Sequence, residues 1–373
     1  MNYSFWEKHF IESPVDITII GSGIVGLSTA ISIKESRPEL SIKIIERGSL
    51  PYGASTKNAG FSCFGSVSEL LDDIKNMGEA QCMEVVNMRW KGLAKLRSRI
   101  GDAAMNYVPC GGTELFRHED KDLKKTCLSQ IAYCNALMSH HLSVDQCYCV
   151  KSNDNLPSFD KQSIFNAYEG SINPVMMMNC LINRAISLGV YIVNGVTIKE
   201  IDKTNTQLIG SENIRIAFKK LIVCTNGFAS QLLPNLPVIP ARNQVLITNP
   251  LEEVKLDSCY HVDKGYIYFR QYEGRILLGG GRNYDMVTEA TSEFGNTPII
   301  QSYLLSVLET IYPGASKKVD HWWSGILGIG QTKFPICEWV DKDILVGVRL
   351  GGMGVAIGSY LGEKLAEMVV PEI

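Results

Sequence analysis

Three glycines near the N-terminus have the spacing of a turn that binds phosphate. Gly21, Gly23 and Gly26 form a G-x-G-x-x-G pattern. In such a pattern the first glycine allows a tight turn, the second lets a pyrophosphate approach the backbone, and the third lets a helix and a strand pack closely. The next backbone N–H groups, here those of Ile24 and Val25, face the phosphates at the positive end of the helix. The pattern therefore predicts a dinucleotide site.

An acidic side chain follows at the position where a nucleotide ribose would need one. Glu46 lies twenty residues after Gly26 and directly after a β-rich run at Ser41–Ile45. A carboxylate at that position accepts hydrogen bonds from ribose hydroxyls. Because the same charge would repel the 2′-phosphate of NADP, it argues against NADP and leaves NAD and FAD as alternatives.

The elements that must position these groups are a strand, a turn and a helix. Val15–Ile20 has the composition of a buried parallel strand, and Leu27–Ile33 that of a buried helix. The apolar run Ile17–Ile33 is about long enough for a transmembrane helix, but its glycines divide it into these three elements. The leader, Asn2–Pro14, lacks the order of basic, apolar and small residues that marks a signal peptide. We therefore predict a cytoplasmic protein with no transmembrane segment.

The bulk composition argues against several classes of protein. The chain has 373 residues, of which 45% are hydrophobic and 20% charged, with a net charge of −3. Its length predicts two structural units, and its charge gives no reason to expect binding to nucleic acid. The 11 cysteines include no C-x-x-C pair, so neither a zinc ribbon nor a dithiol redox site is suggested. We expect reduced thiols and no metal.

The residues after Glu46 favour FAD over NAD. An NAD dehydrogenase usually continues from its second strand into another crossover helix, whereas this chain enters a loop of small and hydroxylic residues. Such residues can pass close to a flat ring system and donate hydrogen bonds to it. The candidate cofactor contacts in this loop are Arg47, Gly53, Ala54, Ser55, Asn58, Ala59, Gly60 and Phe61.

This loop resembles that of the D-amino-acid oxidase superfamily of FAD enzymes. Its pattern E-R-G-x-x-x-x-G-A-S-x-x-N-A-G, from Glu46 to Gly60, follows the glycine turn as it does in that family. The resemblance is nearest to the γ-glutamylputrescine oxidoreductase and glycine oxidase types, and the aromatic pair Phe5-Trp6 in the leader is more like the former. It implies that Gly53–Ser55 and Asn58–Phe61 pass the pyrophosphate and the flavin ring.

Two segments in the middle of the chain resemble the same family. Gly170–Pro174 looks like its G-x-(I/V)-(D/N)-P segment, and Val196 matches a valine that meets the adenine. A predicted strand ends in Cys224, Thr225 and Gly227, which look like the family's A-x-G segment beside the pyrophosphate. A nucleophilic role for Cys224 is an alternative to that of a small buried hydrophobe.

A glycine-rich helix start resembles the family's C-terminal motif. In the family this start places backbone N–H groups and the helix dipole at the N1/O2 edge of the flavin, where they stabilise the reduced, anionic ring. A histidine is common where Met353 stands, so one ring contact is expected to be missing. The residues of this motif are Gly351, Gly352, Met353, Gly354 and Val355.

Candidate substrate contacts alternate along one predicted strand. Tyr266, Tyr268 and Arg270 would share one face, and Ile267 and Phe269 the other. The polar and aromatic face is predicted either to line a substrate pocket or to face solvent. As candidate catalytic residues, the two tyrosines would wall the pocket and Arg270 would bind a remote anion. A structural ion pair is the alternative for Arg270.

The resemblance also implies a reaction. A neutral amine would transfer a hydride from its α-carbon to flavin N5 and leave an imine that hydrolyses, with oxygen or a quinone as the electron acceptor. Glycine oxidase has a carboxylate-binding arginine soon after a W-x-G turn, whereas Trp323–Gly325 is followed here by Ile326 and Leu327. We therefore expect amines, or ω-amino compounds with a remote carboxylate, to be better substrates than glycine or D-alanine. No cysteine lies between Gly325 and Thr332, which predicts non-covalent FAD.

The predicted fold is α/β. A Rossmann-like FAD-binding domain of the glutathione-reductase type, from residues 1–85, 150–235 and 325–373, is interleaved with an α+β substrate domain, mainly an antiparallel sheet, from residues 86–149 and 236–324. Two other functions remain as alternatives. One is an NAD-linked dehydrogenase, and the other is a flavin-binding protein without turnover.

Overall fold

The computed structural model describes residues 3–373. Residues 1 and 2 lie outside it; both belong to the first segment predicted for the FAD-binding domain, and residue 2 also belongs to the leader. The helices in this range are α1 (Phe5–Glu12), α2 (Ile24–Ser36), α3 (Val67–Met77), α4 (Glu79–Ile100), α5 (Lys121–Ser129), α6 (Ile131–Leu142), α7 (Pro174–Ser187), α8 (Pro298–Ile311) and α9 (Gly354–Val369). The strands are β1 (Ile17–Ile20), β2 (Ile42–Ile45), β3 (Phe61–Ser62), β4 (Gly112–Glu114), β5 (Tyr148–Ser152), β6 (Gln162–Asn166), β7 (Gly170–Ser171), β8 (Tyr191–Val193), β9 (Ile198–Asp202), β10 (Gln207–Gly210), β11 (Arg215–Ala217), β12 (Lys220–Val223), β13 (Ile239–Thr248), β14 (Cys259–Val262), β15 (Ile267–Tyr272), β16 (Arg275–Gly280), β17 (Val319–Ile329), β18 (Ile336–Asp341) and β19 (Ile344–Val348).

A six-stranded sheet forms the nucleotide side of the molecule. Its strand order is β18-β19-β12-β1-β2-β8, and all pairs are parallel except the edge pair of β18 with β19. Every residue of β1 and β2 is buried, because both faces of the sheet are covered, as parallel sheets require. Helices α2, α7 and α9 pack on one face, and the three-stranded sheet β11-β10-β9 packs on the other. The predicted strand, turn and helix at the N-terminus are confirmed by β1 and α2.

The C-terminal helix α9 joins the two ends of the chain and the first long insert. It packs against α2 on one side and against α4 on the other. A Cβ atom on Gly92 of α4 would lie 2.0 Å from the carbonyl oxygen of Ala356, so these two helices touch through their backbones. This contact fixes the start of α9 relative to the N-terminal strand and helix.

An eight-stranded sheet forms the other side of the molecule. Its order is β17-β13-β16-β15-β14-β4-β6-β5, and its pairs are antiparallel except that of β4 with β14. A hairpin turn at Glu273-Gly274 joins β15 to β16, and both residues have positive φ angles, of 50° and 73°, as type I′ turns require. Ile267 and Phe269 are fully buried beneath α8, which confirms that their face of β15 belongs to the core.

Two details differ from the sequence-based expectations. Strands β5 and β6 pair in the eight-stranded sheet, although residues 150–235 were predicted for the nucleotide side, because β6 bonds to both β4 and β5. The Trp323–Gly325 segment is not a turn, since it lies inside the eleven-residue strand β17 and pairs with β13. The division into two domains therefore stays a prediction with an altered boundary. Within residues 3–373 no helix combines the length and the apolar character needed to cross a bilayer.

Candidate functional site

An open groove of about 1210 Å³ runs along the carboxyl ends of β1, β2 and β12. In open parallel sheets ligands bind at this edge. Segments from the start, middle and end of the chain form its wall. The predicted cofactor residues on the wall are Gly21, Gly23, Ile24, Val25, Glu46, Arg47, Gly53, Ala54, Ser55, Asn58, Val196, Cys224, Thr225, Gly352, Gly354 and Val355. The other predicted cofactor residues, outside this set, are Gly26, Ala59, Gly60, Phe61, Gly227, Gly351 and Met353.

The glycine turn has the backbone geometry that its pattern predicts. Gly21 has a φ of 102°, and a Cβ atom there would lie 2.9 Å from the carbonyl oxygen of Cys224. A Cβ atom on Gly26 would lie 2.0 Å from the carbonyl oxygen of Gly21, so only glycine permits this approach of helix to turn. Gly23 is the N-cap of α2 and has no side chain to cap it. The Ile24 N–H donates to the Ser55 hydroxyl oxygen at 3.0 Å, and the other N–H groups of the first turn stay available to an anion.

Glu46 is buried and held in one orientation. One carboxylate oxygen accepts hydrogen bonds from the Ser22 backbone N–H, at 3.0 Å, and from its hydroxyl, at 2.9 Å. The other accepts from the backbone N–H groups of Gly48, at 3.0 Å, and Tyr52, at 3.3 Å. The side chain therefore organises the loop after β2 as well as facing the groove, where ribose binding stays a prediction.

Two buried polar atoms at the groove have no hydrogen-bond partner among the described residues. They are Nη2 of Arg47 and Oγ1 of Thr225. The Arg47 guanidinium lies 3.8 Å from the ring centre of Phe228 and 4.7 Å from that of Tyr52, and its burial lowers its pKa. Buried polar groups are nearly always satisfied, so a ligand with acceptor atoms in this groove is the expected partner of both. These residues fit a bound dinucleotide.

The start of α9 reaches the same groove. Gly351 and Gly352 have φ angles of 59° and 92°, and no side chain caps the helix start at Met353. The first N–H groups of a helix are unpaired unless capped and carry the positive end of its dipole, so the start at Gly354 and Val355 can face an electron-rich ring edge. The side chain of Met353 packs against the core of the six-stranded sheet.

The loop between β2 and β3 is braced by its own asparagine. The Asn58 side-chain amide donates to the carbonyl oxygens of Ala54, at 3.2 Å, and Ser55, at 2.9 Å. Its side-chain oxygen accepts from the Gly60 N–H at 2.9 Å. The loop is therefore shaped before any ligand binds.

Arg270 holds the far side of this loop. It is buried, and its guanidinium donates from Nε to the Ala59 carbonyl oxygen, at 2.8 Å, and from Nη2 to that of Ile172, at 3.1 Å. No carboxylate among residues 3–373 lies within 4.0 Å of it, so the ion-pair alternative is not what the structure contains. Burial lowers the pKa of the guanidinium.

The two candidate tyrosines occupy different surroundings. Tyr268 is part-buried, its hydroxyl accepts from the Asn243 side-chain amide at 2.7 Å, and its ring centre lies 5.3 Å from that of Phe61. Tyr266 precedes β15, and the Arg282 guanidinium lies 5.9 Å from its ring centre. Neither tyrosine nor Arg270 lies on the wall of the groove. Tyr268 does meet the loop through Phe61, so it is the better placed of the two.

A buried polar cluster beside Phe61 has no signal in the sequence. Nε2 of His261 lies 3.2 Å from a carboxylate oxygen of Glu169, and Cys63 contributes a sulfur within 4.8 Å of both groups. The other Glu169 oxygen accepts from the backbone N–H groups of Phe64 and Gly65. Burial opposes protonation of His261, but the Glu169 carboxylate raises its pKa overall. Its members could share a metal ion, and the expected absence of a metal stays a prediction.

The family is decided by a match over most of the chain. Residues 16–368 match the family model DAO, described as FAD dependent oxidoreductase. The chain belongs to this family. Membership decides between NAD and FAD in favour of FAD, and the chain is an FAD-dependent oxidoreductase, while non-covalent attachment stays a prediction. A comparison with curated protein sequences finds no match.

Solved structures share the whole fold at low sequence identity. L-proline dehydrogenase from P. horikoshii is 15% identical, with a TM-score of 0.75, covering 97% of this chain and 94% of that one. Glycine oxidase from Geobacillus kaustophilus is also 15% identical, with a TM-score of 0.75 over 95% and 94% of the two chains. Iminodiacetate oxidase from Chelativorans sp. BNC1 is 20% identical, with a TM-score of 0.73 over 95% of each chain. The likeness shows that this family fold extends over nearly the whole chain.

Proposed function

We propose that this protein oxidises the C–N bond of a small amine, or of an amino compound whose carboxylate lies far from the reacting carbon. The observation that carries the proposal is the apolar wall formed by Ile326 and Leu327 of β17, which line the groove directly after Trp323–Gly325. The resemblance to glycine oxidase would put a carboxylate-binding arginine in this region. Ile326 and Leu327 offer no cation in this region, which favours substrates that lack an adjacent carboxylate.

Different residues of the groove would bind different parts of the cofactor. The start of α2 at Gly23 and Ile24 would bind the pyrophosphate, and Glu46 the ribose. The start of α9 at Gly354 would face the pyrimidine edge of the flavin. When bound, FAD accepts a hydride from the carbon next to the substrate nitrogen. The chain's own task is to orient that carbon and to keep water and the charged ammonium form away from it.

A small apolar cluster supports this task. It contains Ala59, Val245 and Leu277, with Phe61, Tyr268 and Trp323 packed against it. The Trp323 side-chain N–H donates to the Lys57 carbonyl oxygen at 2.9 Å. The cluster is therefore attached to the loop between β2 and β3, which is called the flavin loop below because it is predicted to pass the flavin ring. An apolar surface here disfavours a charged ammonium group and favours the neutral amine that can lose a hydride. The Tyr268 hydroxyl and the Asn243 amide are the polar groups available to orient it.

Solved relatives support an amine or amino-acid substrate without naming one. Three of them are named as enzymes that act on L-proline, glycine and iminodiacetate, all of which carry a C–N bond. Another relative, from Mycoplasma pneumoniae, is an L-α-glycerophosphate oxidase with FAD bound. Any substrate test must therefore include a glycerophosphate as the alternative to an amine.

Anaerobic bleaching of the flavin in the purified holoprotein tests the proposal. The panel contains simple amines, ω-amino carboxylates, glycine, D-alanine, L-proline and glycerol 3-phosphate. Bleaching by amines or ω-amino carboxylates, faster than by glycine or D-alanine, is the expected result. Bleaching by glycerol 3-phosphate alone would contradict the proposal, and bleaching by none of them would favour a flavin protein without turnover. Reoxidation of the bleached protein by oxygen or by a quinone then identifies the acceptor.

A further inference from the structure

Two cysteines from distant parts of the chain meet behind the flavin loop. Cys110 precedes β4, and Cys259 begins β14, and their sulfur atoms lie 3.8 Å apart. The contact is fixed by the sheet, since β4 pairs with β14 and the Cys259 N–H donates to the Gly111 carbonyl oxygen at 3.0 Å. A disulfide bond is about 2.05 Å long, so the sulfurs would need to approach by less than about 2 Å.

The two thiols differ in exposure and in acidity. Cys110 is partly exposed, whereas Cys259 is fully buried. The hydrogen bond from Cys259 outweighs desolvation and lowers the pKa of Cys110 to about 6, with Ser171 and the charge of Arg270 acting in the same direction. A low-pKa, accessible thiol next to a second, resolving thiol is the arrangement of cysteines that respond to oxidants.

Other cysteines of the chain lack these features. Burial raises the pKa of Cys127 and of Cys134 to about 12, which makes them poor nucleophiles. Cys149 is exposed on β5, away from the Cys110–Cys259 contact, and provides a matched control.

We propose that Cys110 and Cys259 form a redox-active dithiol that closes to a disulfide on reaction with a hydroperoxide. The Cys110 thiolate attacks the peroxide, the O–O bond breaks, and Cys110 becomes a sulfenic acid while hydroxide leaves. The Cys259 thiol then attacks the sulfenic sulfur, the S–S bond forms, and water leaves with the thiol proton. Two thiols are oxidised and one hydrogen peroxide is reduced to two waters. A small dithiol reductant reduces the disulfide and restores the two thiols.

This dithiol lies where its charge acts on the flavin loop. Arg270 has no carboxylate within 4.0 Å among residues 3–373, and the thiolate of Cys110 is an anion close enough to act on it electrostatically. The Cys259 sulfur also lies 3.3 Å from the Gly170 carbonyl oxygen, in the short strand β7 that pairs with β3. Disulfide formation removes the thiolate charge facing Arg270. The inference does not depend on which substrate the enzyme oxidises.

Peptide mapping of the oxidised holoprotein tests the site. The reduced protein is treated with one equivalent of hydrogen peroxide, its free thiols are alkylated, and its peptides are identified by mass. We expect a Cys110–Cys259 disulfide in the wild type and in Cys149→Ser, and none in Cys110→Ser. In Cys259→Ala we expect a sulfenic acid at Cys110, trapped with dimedone. Oxidation confined to Cys149, or free thiols at both Cys110 and Cys259, would overturn the proposal.

The pH dependence of alkylation tests the role of Cys259 by itself. In the wild type, the rate of Cys110 alkylation by iodoacetamide should reach half of its maximum near pH 6. In Cys259→Ala this midpoint should move towards about 8.5, which lowers the thiolate fraction at pH 7 about thirtyfold. Because a more basic thiolate is also the better nucleophile, the rate at pH 7 should fall by less, about twofold to threefold. An unchanged midpoint in this variant would show that Cys259 does not activate Cys110 and would contradict the pairing.

Discussion

The Oγ atom of Ser55 accepts a hydrogen bond of 3.0 Å from the backbone N–H of Ile24. Because Gly23 gives α2 no side-chain cap, the loop after β2 supplies this bond to the helix start. The segment predicted to pass the flavin ring is thus attached to the segment predicted to bind phosphate. A change at the glycine turn is therefore expected to disturb the loop as well.

Gly23→Val should prevent FAD binding. A Cβ atom on Gly23 would already lie 3.1 Å from the Ser55 hydroxyl oxygen, and the two methyl groups of valine would extend into the space that the pyrophosphate needs. The ratio of flavin to protein absorbance should fall well below that of the wild type, with the circular dichroism spectrum retained. Ser36→Val is the matched control, because it places the same side chain at the exposed, opposite end of the same helix. Full flavin content in Gly23→Val would show that the turn is not the phosphate site.

Glu46→Ala should weaken FAD binding less severely but should also destabilise the protein without cofactor. Removal of the carboxylate takes charge-assisted hydrogen bonds, roughly 1.5–3 kcal/mol each, from the ribose and from Ser22 and Gly48. We expect a higher dissociation constant for FAD and a lower melting temperature of the apoprotein. A normal apoprotein melting temperature would contradict the structural part of this role.

Arg270→Met should impair all substrates and carboxylate substrates most. The loss of its bonds to Ala59 and Ile172 loosens the flavin loop whatever the substrate is. If Arg270 also binds a remote carboxylate, such substrates lose a further 1.5–3 kcal/mol, or about ten- to a hundredfold in kcat/KM. Arg275→Met on the neighbouring strand, which removes an exposed ion pair with Asp320, is the control. Equal losses of kcat/KM for amines and for ω-amino carboxylates would show that Arg270 only braces the loop and does not bind the substrate carboxylate.

Local patterns in the sequence predicted the nucleotide side well. The glycine turn, β1, α2 and the start of α9 are each specified by residues close together in the chain, so spacing alone identifies them. The expected face of β15 was right for Ile267 and Phe269, but Tyr266 lies outside the strand because the strand begins one residue later.

Contacts between distant segments could not be predicted in the same way. Glu169 and His261, like Cys110 and Cys259, are brought together by the pairing of β4 with β6 and β14. C-x-x-C spacing cannot reveal the contact between Cys110 and Cys259, because sheet pairing brings together sulfurs that are far apart in sequence. The place of β5 and β6 in the eight-stranded sheet depends on the same kind of contact, since β5 pairs with β6 and β6 pairs with β4, which is only three residues long.

Two buried groups with raised pKa values, Glu114 and His261, should contribute less to stability as the pH rises. Burial raises the pKa of Glu114 to about 7, and Glu169 raises that of His261 although burial opposes it. Between about pH 4.5 and 7 the native state therefore holds a proton on Glu114 that the unfolded chain has released, and for His261 the corresponding window begins near pH 6.5. The free energy of unfolding then falls with pH, by up to about 1.4 kcal/mol per pH unit for each such proton.

Glu114→Gln isolates the contribution of one of these groups. A glutamine stays neutral at every pH, so the variant should lose less stability than the wild type between pH 5 and pH 8. The side-chain oxygen of the glutamine can still accept a hydrogen bond from the Ser68 N–H, which bonds to Glu114 in the wild type. Chemical denaturation across this pH range measures the slope, with the exposed Glu119→Gln as the control. Parallel curves for Glu114→Gln and the wild type would mean that Glu114 is ionised in the native protein throughout.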